Sequence, residues 1–520
     1  MKDEAVEKAK RYIIAELKKG RTDVERIKKE AAQKYGCRVV SNSEIIQGQK
    51  LPREIIDILK KKPVRTISGI TSIAVMIKPQ ESCVHRCIYC PYTGRAPKSY
   101  TGEEPAALRA RRASFSPSKQ VISRLKQYQA TGHPTDKCEV IVMGGTFLEM
   151  PKAYKRSFIK AIYDTMNNRK ARTLEEAKKI NEKAKNRVIG LTIETRPDVC
   201  GKKEIDEMLE YGATRVELGI QHPDDEIYRL IERGHGVEEV VNATALLKDS
   251  AFKVLYHIMP GLPGSDKEKD VEMVKRIFND ERFQPDMLKI YPTLCIEGTK
   301  LYEKMKKGEY KPYDAEEAAD VISEMFRHIP RYVRVMRIQR DIPATLISSG
   351  VRKSNLRELV EKKIKEKGIR AMEIRSREVG FVDESGEIEN VEIENMKIKK
   401  LRYKASGGLE NFISFESEER IAGFVRLRFP DDFIFRKEID ENTALIRELH
   451  VYGPEEKIGS GSSGKIQHTG IGKILMGEAE DEAREKGFKK IIVISGVGAR
   501  EYYYKLGYKQ EGPYVSKMIT

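Results

Sequence analysis

Six short apolar runs, each followed by a segment with helical periodicity, constrain the fold of this chain more than any other feature. The runs are rich in Val and Ile and occupy residues 73–77, 139–143, 188–193, 215–220, 254–258 and 287–290. Strand and helix signals that alternate in this way predict parallel strands joined by crossover helices. We therefore predict an α/β fold in which residues 71–345 form a partial (β/α)6 barrel.

Three of the seven cysteines are clustered after the first run, where Cys83, Cys87 and Cys90 form a C-x3-C-x2-C motif. Three thiolates at this spacing can reach three irons of a 4Fe-4S cluster and leave the fourth iron open. An open iron can bind S-adenosylmethionine (SAM), and an electron passed to the sulfonium releases a 5′-deoxyadenosyl radical. The alternative is a zinc site, but that needs a fourth Cys or His ligand, and His85 inside the loop is badly placed for it. The motif predicts a radical SAM site.

The loops that follow the other predicted strands carry glycines and polar side chains. In a TIM-like barrel such loops converge on one mouth. A glycine pair after the second strand lets a backbone edge approach the SAM ammonium group, and the candidates for SAM binding are Gly144, Gly145, Glu194 and Gln221. Lys289 and Tyr291, at the end of the sixth strand, can orient a substrate carbonyl or relay a proton. Each of these residues alone also fits a turn or a packing role, and it is their shared place at one mouth that favours a site.

A second, smaller α/β pattern covers residues 386–520. Residues 412–415, 423–429, 444–451 and 490–494 read as strands, and residues 470–486 read as a helix. The sequence QHTGIG (467–472) opens this helix, so its backbone N–H groups can hold a pyrophosphate. With RELHVY (447–452) before it and YYY (502–504) after it, the order resembles an acetyl-CoA-binding GNAT domain. A Rossmann dinucleotide site is the competing interpretation, but its G-x-G-x-x-G fingerprint is missing.

The charge of the chain favours a polyanionic partner. Lys and Arg number 97 against 80 Asp and Glu, a formal net charge of +17, and residues 1–65 contain 18 basic and 10 acidic side chains. We predict a basic helical region over residues 1–70 that binds nucleic acid, with a Lys/Glu-rich thermophilic surface as the alternative. No apolar run is long enough to cross a bilayer and no signal core is visible, so we expect a cytoplasmic protein without membrane contact.

Two segments serve as connectors in this interpretation. Residues 346–385 are basic, helical and then irregular, which predicts a linker between the two larger units. Residues 459–464 read GSGSSG and resemble an engineered flexible linker, so we assign them no function.

Long stretches across nearly the whole chain resemble one family. They are KPVRTISG (62–69), SYTGEEP (99–105), VMGGTF (142–147), ETRPD (194–198), VELGIQ (216–221), RELHVYG (447–453) and ISGVG (494–498). The chain is similar to the family of the catalytic (third) subunit of Elongator, in which a radical SAM barrel is joined to a C-terminal GNAT domain.

The resemblance implies tRNA carboxymethyluridine synthase activity on uridine 34, the wobble position of tRNA. The deoxyadenosyl radical would take hydrogen from the methyl group of acetyl-CoA, and the carbon radical would add to carbon 5 of the uracil ring. Hydrolysis of the thioester would then release CoA and leave a carboxymethyl group. The wobble base must leave the anticodon stack to reach the barrel mouth, which single-stranded loops allow at modest cost.

The resemblance also implies residue roles. The cluster ligands would be Cys83, Cys87 and Cys90. Acetyl-CoA would contact Lys137, Glu448, Leu449, His450, Val451, Gln467, Gly470, Ile471, Gly472, Lys473 and Tyr503, and Tyr503 would also be catalytic. The tRNA anticodon stem-loop would contact the N-terminal helices and Arg109, Arg111 and Arg112. Other Elongator-type subunits are possible partners that the sequence does not require. Relatives often have zinc-binding cysteines where this chain has Ala371, Glu373 and Ser376, so we predict no zinc.

Three other functions compete with this one. A protein (histone) lysine acetyltransferase would use the GNAT domain alone. A methylthiotransferase would need a second cluster, but the remaining cysteines, Cys37, Cys138, Cys200 and Cys295, are far apart in sequence. A tRNA-binding scaffold would need neither the cysteines nor the CoA loop.

Overall fold

The structure, a computed structural model, describes residues 2–47, 49–60, 69–80, 83, 85–145, 147–379, 395–431, 433–452 and 470–519. Its N-terminal part consists of four helices: α1 (Lys2–Lys18), α2 (Val24–Tyr35), α3 (Asn42–Ile46) and α4 (Arg53–Leu59). They enclose a small apolar core of their own that includes Ile13, Ile27 and Leu59. Asp23 caps α2 by accepting a hydrogen bond from the Arg26 N–H, and Ser41 and Glu44 form a capping box at α3.

The largest unit is a seven-stranded sheet with helices in its crossovers. Its strands are β1 (Ile70–Met76), β2 (Lys137–Met143), β3 (Arg187–Thr195), β4 (Arg215–Gln221), β5 (Lys253–Ile258), β6 (Met287–Ile290) and β8 (Arg334–Ile338). They pair in this order and every pair is parallel. The six predicted strands are therefore confirmed. The seventh, β8, was not predicted, because its sequence RVMRI carries two arginines in five residues.

Helices follow the strands as expected for parallel crossovers. They are α5 (Pro105–Arg112), α6 (Pro117–Ala130), α7 (Lys152–Asn167), α8 (Leu174–Asn181), α9 (Lys202–Tyr211), α10 (Asp225–Leu230), α11 (Val237–Asp249), α12 (Lys267–Asn279), α13 (Lys300–Lys306), α14 (Ala315–Met325) and α15 (Leu356–Glu366). A two-stranded ribbon of β7 (Cys295–Ile296) and β9 (Ile347–Ser349) lies between them. One face of each barrel strand packs under these helices, as Val216, Leu218 and Ile220 do in β4.

The C-terminal unit is a mixed seven-stranded sheet. It contains β10 (Lys397–Ala405), β11 (Gly408–Glu416), β12 (Ile421–Phe429), β13 (Thr443–Val451), β14 (Lys490–Val493), β15 (Lys509–Glu511) and β16 (Tyr514–Met518), with α16 (Ile471–Glu485) and α17 (Arg500–Tyr504). The order is β10-β11-β12-β13-β14-β16-β15, and only β13 and β14 are parallel. The predicted α/β class is confirmed. The lysine-rich edge strand β10 was missed, as were β15 and β16.

The C-terminal sheet packs against the amino-terminal edge of the parallel sheet. Arg447 of β13 binds Asp286, which lies just before β6, and it also donates to the Phe252 carbonyl just before β5. At Gly496 an added Cβ would lie 1.9 Å from the Ile189 carbonyl oxygen at the start of β3, so the loop after β14 needs glycine to make this contact. The two sheets are thereby held in one arrangement, with the carboxyl ends of the parallel strands facing away from the C-terminal sheet.

Among the described residues, no helix combines the length and the apolar character needed to span a membrane. The domain boundaries given above stay predictions.

Candidate functional site

A cavity of about 170 Å³ opens at the carboxyl ends of the parallel strands. Its walls come from the loop after β1 and from the ends of β3, β4, β5 and β6, because successive side chains in a strand alternate between the helices and the barrel interior. Of the predicted site residues it is lined by Cys83, Cys87, Cys90, Gly145, Glu194, Gln221, Lys289 and Tyr291. The structure therefore brings together residues that lie up to about 200 positions apart in the sequence.

The cysteine loop is shaped by backbone hydrogen bonds to its neighbours. Ile88 N–H donates to the Ile231 carbonyl at 3.1 Å, and Cys90 N–H donates to the Cys87 carbonyl at 3.0 Å. Lys98 donates to the carbonyls of Cys83 and His85. These bonds turn all three thiols toward one cavity.

Two arginines approach the middle cysteine. An Arg233 N–H lies 3.5 Å from Cys87 Sγ, and an Arg196 N–H lies 4.0 Å from it. Burial raises the pKa of the Cys87 thiol, but the positive charges of Arg233 and Arg196 outweigh burial and hold that pKa below its usual value. Burial and the nearby Cys87 raise the pKa of Cys90 to about 12, so this thiol needs a metal cation to lose its proton. Soft thiol donors beside fixed positive charge fit an anionic iron-sulfur cluster.

His85 has a structural role in this loop. Its Nε2 lies 3.2 Å from Asp198 Oδ2, and its ring packs so closely on Gly234 that an added Cβ there would lie 1.9 Å from His85 Nδ1. Asp198 in turn accepts a hydrogen bond from Arg196 Nε at 2.9 Å. The histidine inside the motif thus attaches the loop to the segments that follow β3 and α10.

Glu194 connects the glycine turn to the cavity wall. Its Oε2 accepts hydrogen bonds from the Gly144 N–H at 3.2 Å and from the Tyr100 hydroxyl at 2.8 Å. Gly144 has φ +125° and packs against Ile77, where an added Cβ would lie 2.6 Å from Cγ1. A Cβ at Gly145 would meet no atom within 4 Å, so this side of the turn faces the cavity. Glycine is required at Gly144 by the backbone conformation and by the close approach of β1.

The floor of the cavity carries a buried charge cluster. Glu217 Oε2 forms a hydrogen bond of 2.8 Å with His257 Nε2 and accepts another from Lys289 Nζ. Burial lowers the pKa of Lys289, but the Glu217 carboxylate raises it, and the net pKa lies above the usual value. Tyr291 lies beside this cluster, with its ring 5.3 Å from that of His257. The floor therefore presents an ammonium group and a phenol to a bound molecule.

Asp270 fixes the glycine-rich loop that follows β5. This α12 carboxylate accepts hydrogen bonds from the Gly261 N–H at 2.7 Å, the Tyr313 hydroxyl at 2.8 Å and the Ser265 hydroxyl at 2.6 Å. Burial raises the pKa of Asp270 to about 6, against 3.8 for a free side chain. The loop at the cavity rim is thus attached to a carboxyl group that titrates near neutral pH.

We expect Asp270→Asn to change the pH dependence of stability. Because the folded-state pKa is raised, the stability that the bound proton contributes is present below about pH 4 and is lost as the pH rises through 6. The asparagine has no proton to lose, so the free energy of unfolding of the variant should not fall in this way. The difference between variant and wild type should therefore shift in favour of the variant by up to about 3 kcal/mol when the pH is raised from 4 to 8. Guanidinium denaturation at both pH values measures the difference. Parallel pH curves for the two proteins would contradict the assignment, and the exposed Asp481→Asn is the control.

The C-terminal sheet contains a cleft between two parallel strands. β13 pairs with β14 only from Thr443 to Ile446, and beyond that point β13 continues alone to Val451 beside β12. α16 begins next to this free segment, with Gly470 as its N-cap at φ +80°. At Gly472 an added Cβ would lie 2.7 Å from the Tyr502 hydroxyl oxygen and 3.7 Å from Val451, so the helix start and the strand end are close. In the part of the chain that the structure describes, the free edge of β13 and the N-terminus of α16 thus lie beside one cleft, and the first N–H groups of a helix have no partner within it.

On this free segment of β13 Glu448 is buried, and Leu449, His450 and Val451 are half-buried. Glu448 accepts a hydrogen bond from Arg426 Nε at 2.9 Å, and Lys253 and Arg426 hold its pKa below the usual value against the effect of burial. Burial lowers the pKa of His450 to about 4, so this ring is neutral. Tyr503 is buried in α17, and burial together with Tyr502 and Glu448 raises the pKa of its phenol above the usual value. The phenol remains protonated and able to donate.

The remaining predicted residues lie in different places. Lys137 begins β2 at the amino-terminal edge of the parallel sheet, in register with Arg187. Arg109, Arg111 and Arg112 lie in α5, whose start forms part of the cavity rim through Glu104 and Ala106. Gln467, Thr146 and the 459–464 segment lie outside the described residues.

Sequence reasoning missed several residues of the cavity. They are Lys98, Tyr100, Arg233, Glu217 and His257. Glu217 and His257 are inward-facing residues of strands that had been identified, so the strand alternation was a signal that could have found them. Arg233 gave no local signal, because it follows a short helix and reaches Cys87 across 146 residues.

Comparison with known protein families gives four matches along the chain. They are the ELP3 N-terminal domain over residues 3–67, the Radical SAM superfamily over residues 77–277, the Radical_SAM C-terminal domain over residues 285–366 and the Acetyltransferase (GNAT) family over residues 375–508.

Similar proteins match over nearly the full length. A protein of Methanocaldococcus infernus named tRNA uridine(34) acetyltransferase is 49% identical, with 98% of each chain covered. Human Elongator complex protein 3 is 40% identical, with 96% of this chain and 93% of the human protein covered. The solved structure of M. infernus Elp3 with residues 1–46 deleted is 48% identical, with a TM-score of 0.77, 87% of this chain and 100% of that chain covered.

Proposed function

Because this chain belongs to the family of the tRNA uridine(34) acetyltransferases and Elongator complex protein 3, we propose that it installs a carboxymethyl group on carbon 5 of uridine 34 in tRNA. The chain is a radical SAM and GNAT enzyme, and its cofactors are a 4Fe-4S cluster, SAM and acetyl-CoA. The observation that carries the proposal is that three cysteines, Glu194, Lys289 and Tyr291 line one cavity in a chain that also contains a GNAT cleft.

The cysteine set suits the cluster. Cys83, Cys87 and Cys90 supply three thiolates, and Arg233 and Arg196 offset their negative charge. With SAM bound, the cluster supplies one electron for cleavage of SAM to methionine and a 5′-deoxyadenosyl radical. The residues around the cluster bind and orient SAM and the substrate. The free edge at Gly145 and the Glu194 carboxylate are polar contacts for SAM, and Lys289 and Tyr291 hold the carbonyl of the substrate.

The GNAT cleft binds acetyl-CoA in this proposal. The N–H groups at the start of α16, from Gly470 to Lys473, hold the pyrophosphate, because a helix N-terminus favours an anion. The free segment of β13 from Glu448 to Val451 lies along the pantetheine arm. The protonated Tyr503 donates its hydroxyl hydrogen toward the departing thiolate.

The tRNA binds across the cavity rim. Arg111 and Arg112 are exposed there, and the described N-terminal helices are rich in lysine. Such groups contact phosphates without reading sequence. We propose that they hold the anticodon stem-loop while uridine 34 enters the cavity.

A protein lysine acetyltransferase that uses the GNAT domain alone is not favoured. It leaves the cysteine loop and its two arginines without a role, although a buried arginine pair beside a thiol is costly to maintain.

Isotope transfer tests the proposal. Reconstituted protein is incubated without oxygen with SAM, dithionite, tRNA and acetyl-CoA that carries deuterium on its methyl carbon. We expect 5-carboxymethyluridine that keeps two deuterium atoms, with the third in 5′-deoxyadenosine, because hydrogen is taken from that methyl group. Mass spectrometry of the digested nucleosides measures both. Unmodified tRNA together with an acetylated lysine peptide would contradict the proposal and support the alternative.

A further inference from the structure

The interior of the parallel sheet is charged along its length, which is unusual for a βα barrel. Barrel interiors are normally filled by layers of Val, Ile and Leu. Here the inward-facing positions include a set that we call the lumen cluster: Glu139 of β2, Arg215 and Glu217 of β4, His257 of β5 and Lys289 of β6. Burying so many charges costs free energy unless each is paired, so a structural role alone explains the set poorly.

Contacts within the lumen cluster form a continuous series. Glu139 Oε1 lies 2.5 Å from an Arg215 N–H nitrogen, and Arg215 Nε lies 3.6 Å from Glu217 Oε1. Glu217 Oε2 then binds both His257 and Lys289. The series ends at the cavity floor, where Lys289 lines the cavity.

Two side chains of the lumen cluster, and Thr192 of β3 in register with Arg215, have buried atoms without a hydrogen-bond partner in the part of the chain that the structure describes. These atoms are Thr192 Oγ1, Arg215 Nε and Nη2, and Glu217 Oε1. Glu217 is fully buried and Arg215 is 4% exposed. Buried polar atoms are nearly always paired in proteins, so the grouping of these atoms between β3 and β4 is unlike ordinary core packing.

The lumen cluster lies between the cavity at the carboxyl ends of the strands and the GNAT cleft. Its end at Glu139 and Arg215 is near Glu448 and His450 of the GNAT cleft, since Arg215 interacts electrostatically with Glu448, and His450 with Glu139. Its other end is Lys289, at the floor of the cavity. At about 3.3 Å per residue the inward positions of β4 span about 20 Å from Arg215 to Gln221.

We propose that Glu217 is a positioning residue that holds Lys289 as an ammonium ion and His257 in one orientation, with Arg215 and Glu139 fixing the carboxylate from behind. The cavity floor then presents a fixed positive charge to the carbonyl oxygen of a bound thioester or pyrimidine. The identity of that carbonyl substrate rests on the proposed function, but the positioning role does not.

Several titratable or charged groups face Lys289 besides Glu217. They are Glu194 of β3, His257 of β5, and Tyr291 of its own strand, with Arg337 of β8 and Tyr100 on the same cavity wall. Among the described residues, Glu217 alone accepts a hydrogen bond from the ammonium group. An ionised carboxylate accepts only, so it also requires the His257 Nε2 to carry a hydrogen.

The first test needs no cofactor. Purified protein is treated with formaldehyde and a borohydride reductant at several pH values, and methylation of Lys289 is followed by mass spectrometry. Only the neutral amine reacts with formaldehyde. Because the Glu217 carboxylate stabilises the ammonium form of Lys289, its loss should raise the neutral fraction and with it the methylation rate. We expect Glu217→Gln to increase the methylation rate of Lys289 at pH 8 by about tenfold or more, equivalent to a pKa drop of about one unit.

Glu207→Gln is the matched control. Glu207 forms a buried ion pair with Lys155 in the same domain, but between α7 and α9 and away from the cavity. We expect this variant to leave Lys289 methylation within about twofold of wild type. Equal methylation of Lys289 in wild type and Glu217→Gln would overturn the proposal.

The second test uses the reconstituted enzyme and measures carboxymethyluridine formed per 5′-deoxyadenosine released. We expect this ratio to fall about tenfold or more in Glu217→Gln, while SAM cleavage and iron content stay as in wild type. An unchanged ratio would overturn the proposal. If wild type forms no carboxymethyluridine, the proposed function fails while the methylation result still decides the role of Glu217.

A double variant separates positioning from folding. Glu217→Gln with Lys289→Met leaves no unpaired charge in the floor, so its thermal midpoint should exceed that of Glu217→Gln alone. The double variant should form no product, because it lacks the Lys289 ammonium group. Recovery of product formation along with stability would show that the pair is only structural and would overturn the proposal.

Discussion

Replacing Cys87 with alanine should abolish formation of 5′-deoxyadenosine and of 5-carboxymethyluridine, a loss of about 1,000-fold or more. Cys87 is the middle of three thiols on one loop, and a cluster with two protein ligands is lost or inactive. It is also the thiol whose pKa the Arg233 and Arg196 charges hold below the usual value. Iron content, the visible absorbance of the cluster and SAM cleavage measure the effect directly.

Acetyl-CoA binding should survive this substitution. The GNAT cleft lies at the opposite edge of the parallel sheet from the cysteine loop, so we expect the dissociation constant for acetyl-CoA to stay within about twofold of wild type by calorimetry. Cys295→Ala is the matched control, since Cys295 is buried in β7 and does not line the cavity. Full product formation by Cys87→Ala, or equal loss in Cys295→Ala, would contradict the assignment of the cluster.

Replacing Arg447 with methionine should destabilise the protein by about 3–5 kcal/mol, the usual cost of removing one partner from a buried ion cluster. Arg447 makes two hydrogen bonds to Asp286, at 2.7 and 2.6 Å, and two to Glu410, at 2.8 and 3.2 Å. Both carboxylates are buried, and Lys248, Arg428 and Arg426 are the cations left to balance them. Asp286 lies just before β6 of the parallel sheet, and Arg447 lies in β13 of the C-terminal sheet. The contact therefore joins the two domains.

We expect differential scanning calorimetry to show this loss of coupling. Wild type should unfold with the two sheets together, and Arg447→Met should give two separated transitions at lower temperature. Arg447→Lys should rescue little, since a lysine cannot make the paired bonds to Asp286. The exposed Arg327→Met, which removes only an i,i+3 pair with Glu324, should cost about 0.5 kcal/mol or less. A midpoint for Arg447→Met equal to that of Arg327→Met would refute the role of this contact.

Arg447 also shows how far sequence reasoning reached in the C-terminal domain. The RELHVY stretch was identified as part of the acetyl-CoA site, and Glu448 to Val451 do form the free segment of β13. Arg447, one position earlier, lies where the register of the β12–β13 pair shifts, and its side chain binds Asp286. Such a shift is not visible in the sequence, and only the packed structure shows that this side chain lies at an interface between domains.

The ISGVG stretch (494–498) is a second example. In the sequence it was one of the stretches that resemble the family, and it gave no reason for its glycines. In the structure Gly496 and Gly498 make close contacts with β3, where added Cβ atoms would meet Ile189 O and Arg187 Cβ. The glycines are required because two backbones approach each other there.

The sequence by itself determined the features that are local in the chain. Cys83, Cys87 and Cys90 are spaced for one cluster within a single loop, six strands are visible as apolar runs, and their ends mark one mouth. These signals are local because hydrogen bonding and side-chain alternation repeat over a few residues. The order of strand, glycine turn and helix in the C-terminal domain is local in the same sense.

Only the tertiary structure decided which distant residues act on those features. Arg233 reaches Cys87 across 146 residues, and Glu217 binds Lys289 across 72. The GNAT cleft lies at the amino-terminal edge of the parallel sheet, and the charged lumen connects that edge to the cavity. The strength of such pairs depends on burial and on their mutual orientation, and both are fixed only when the two sheets have packed.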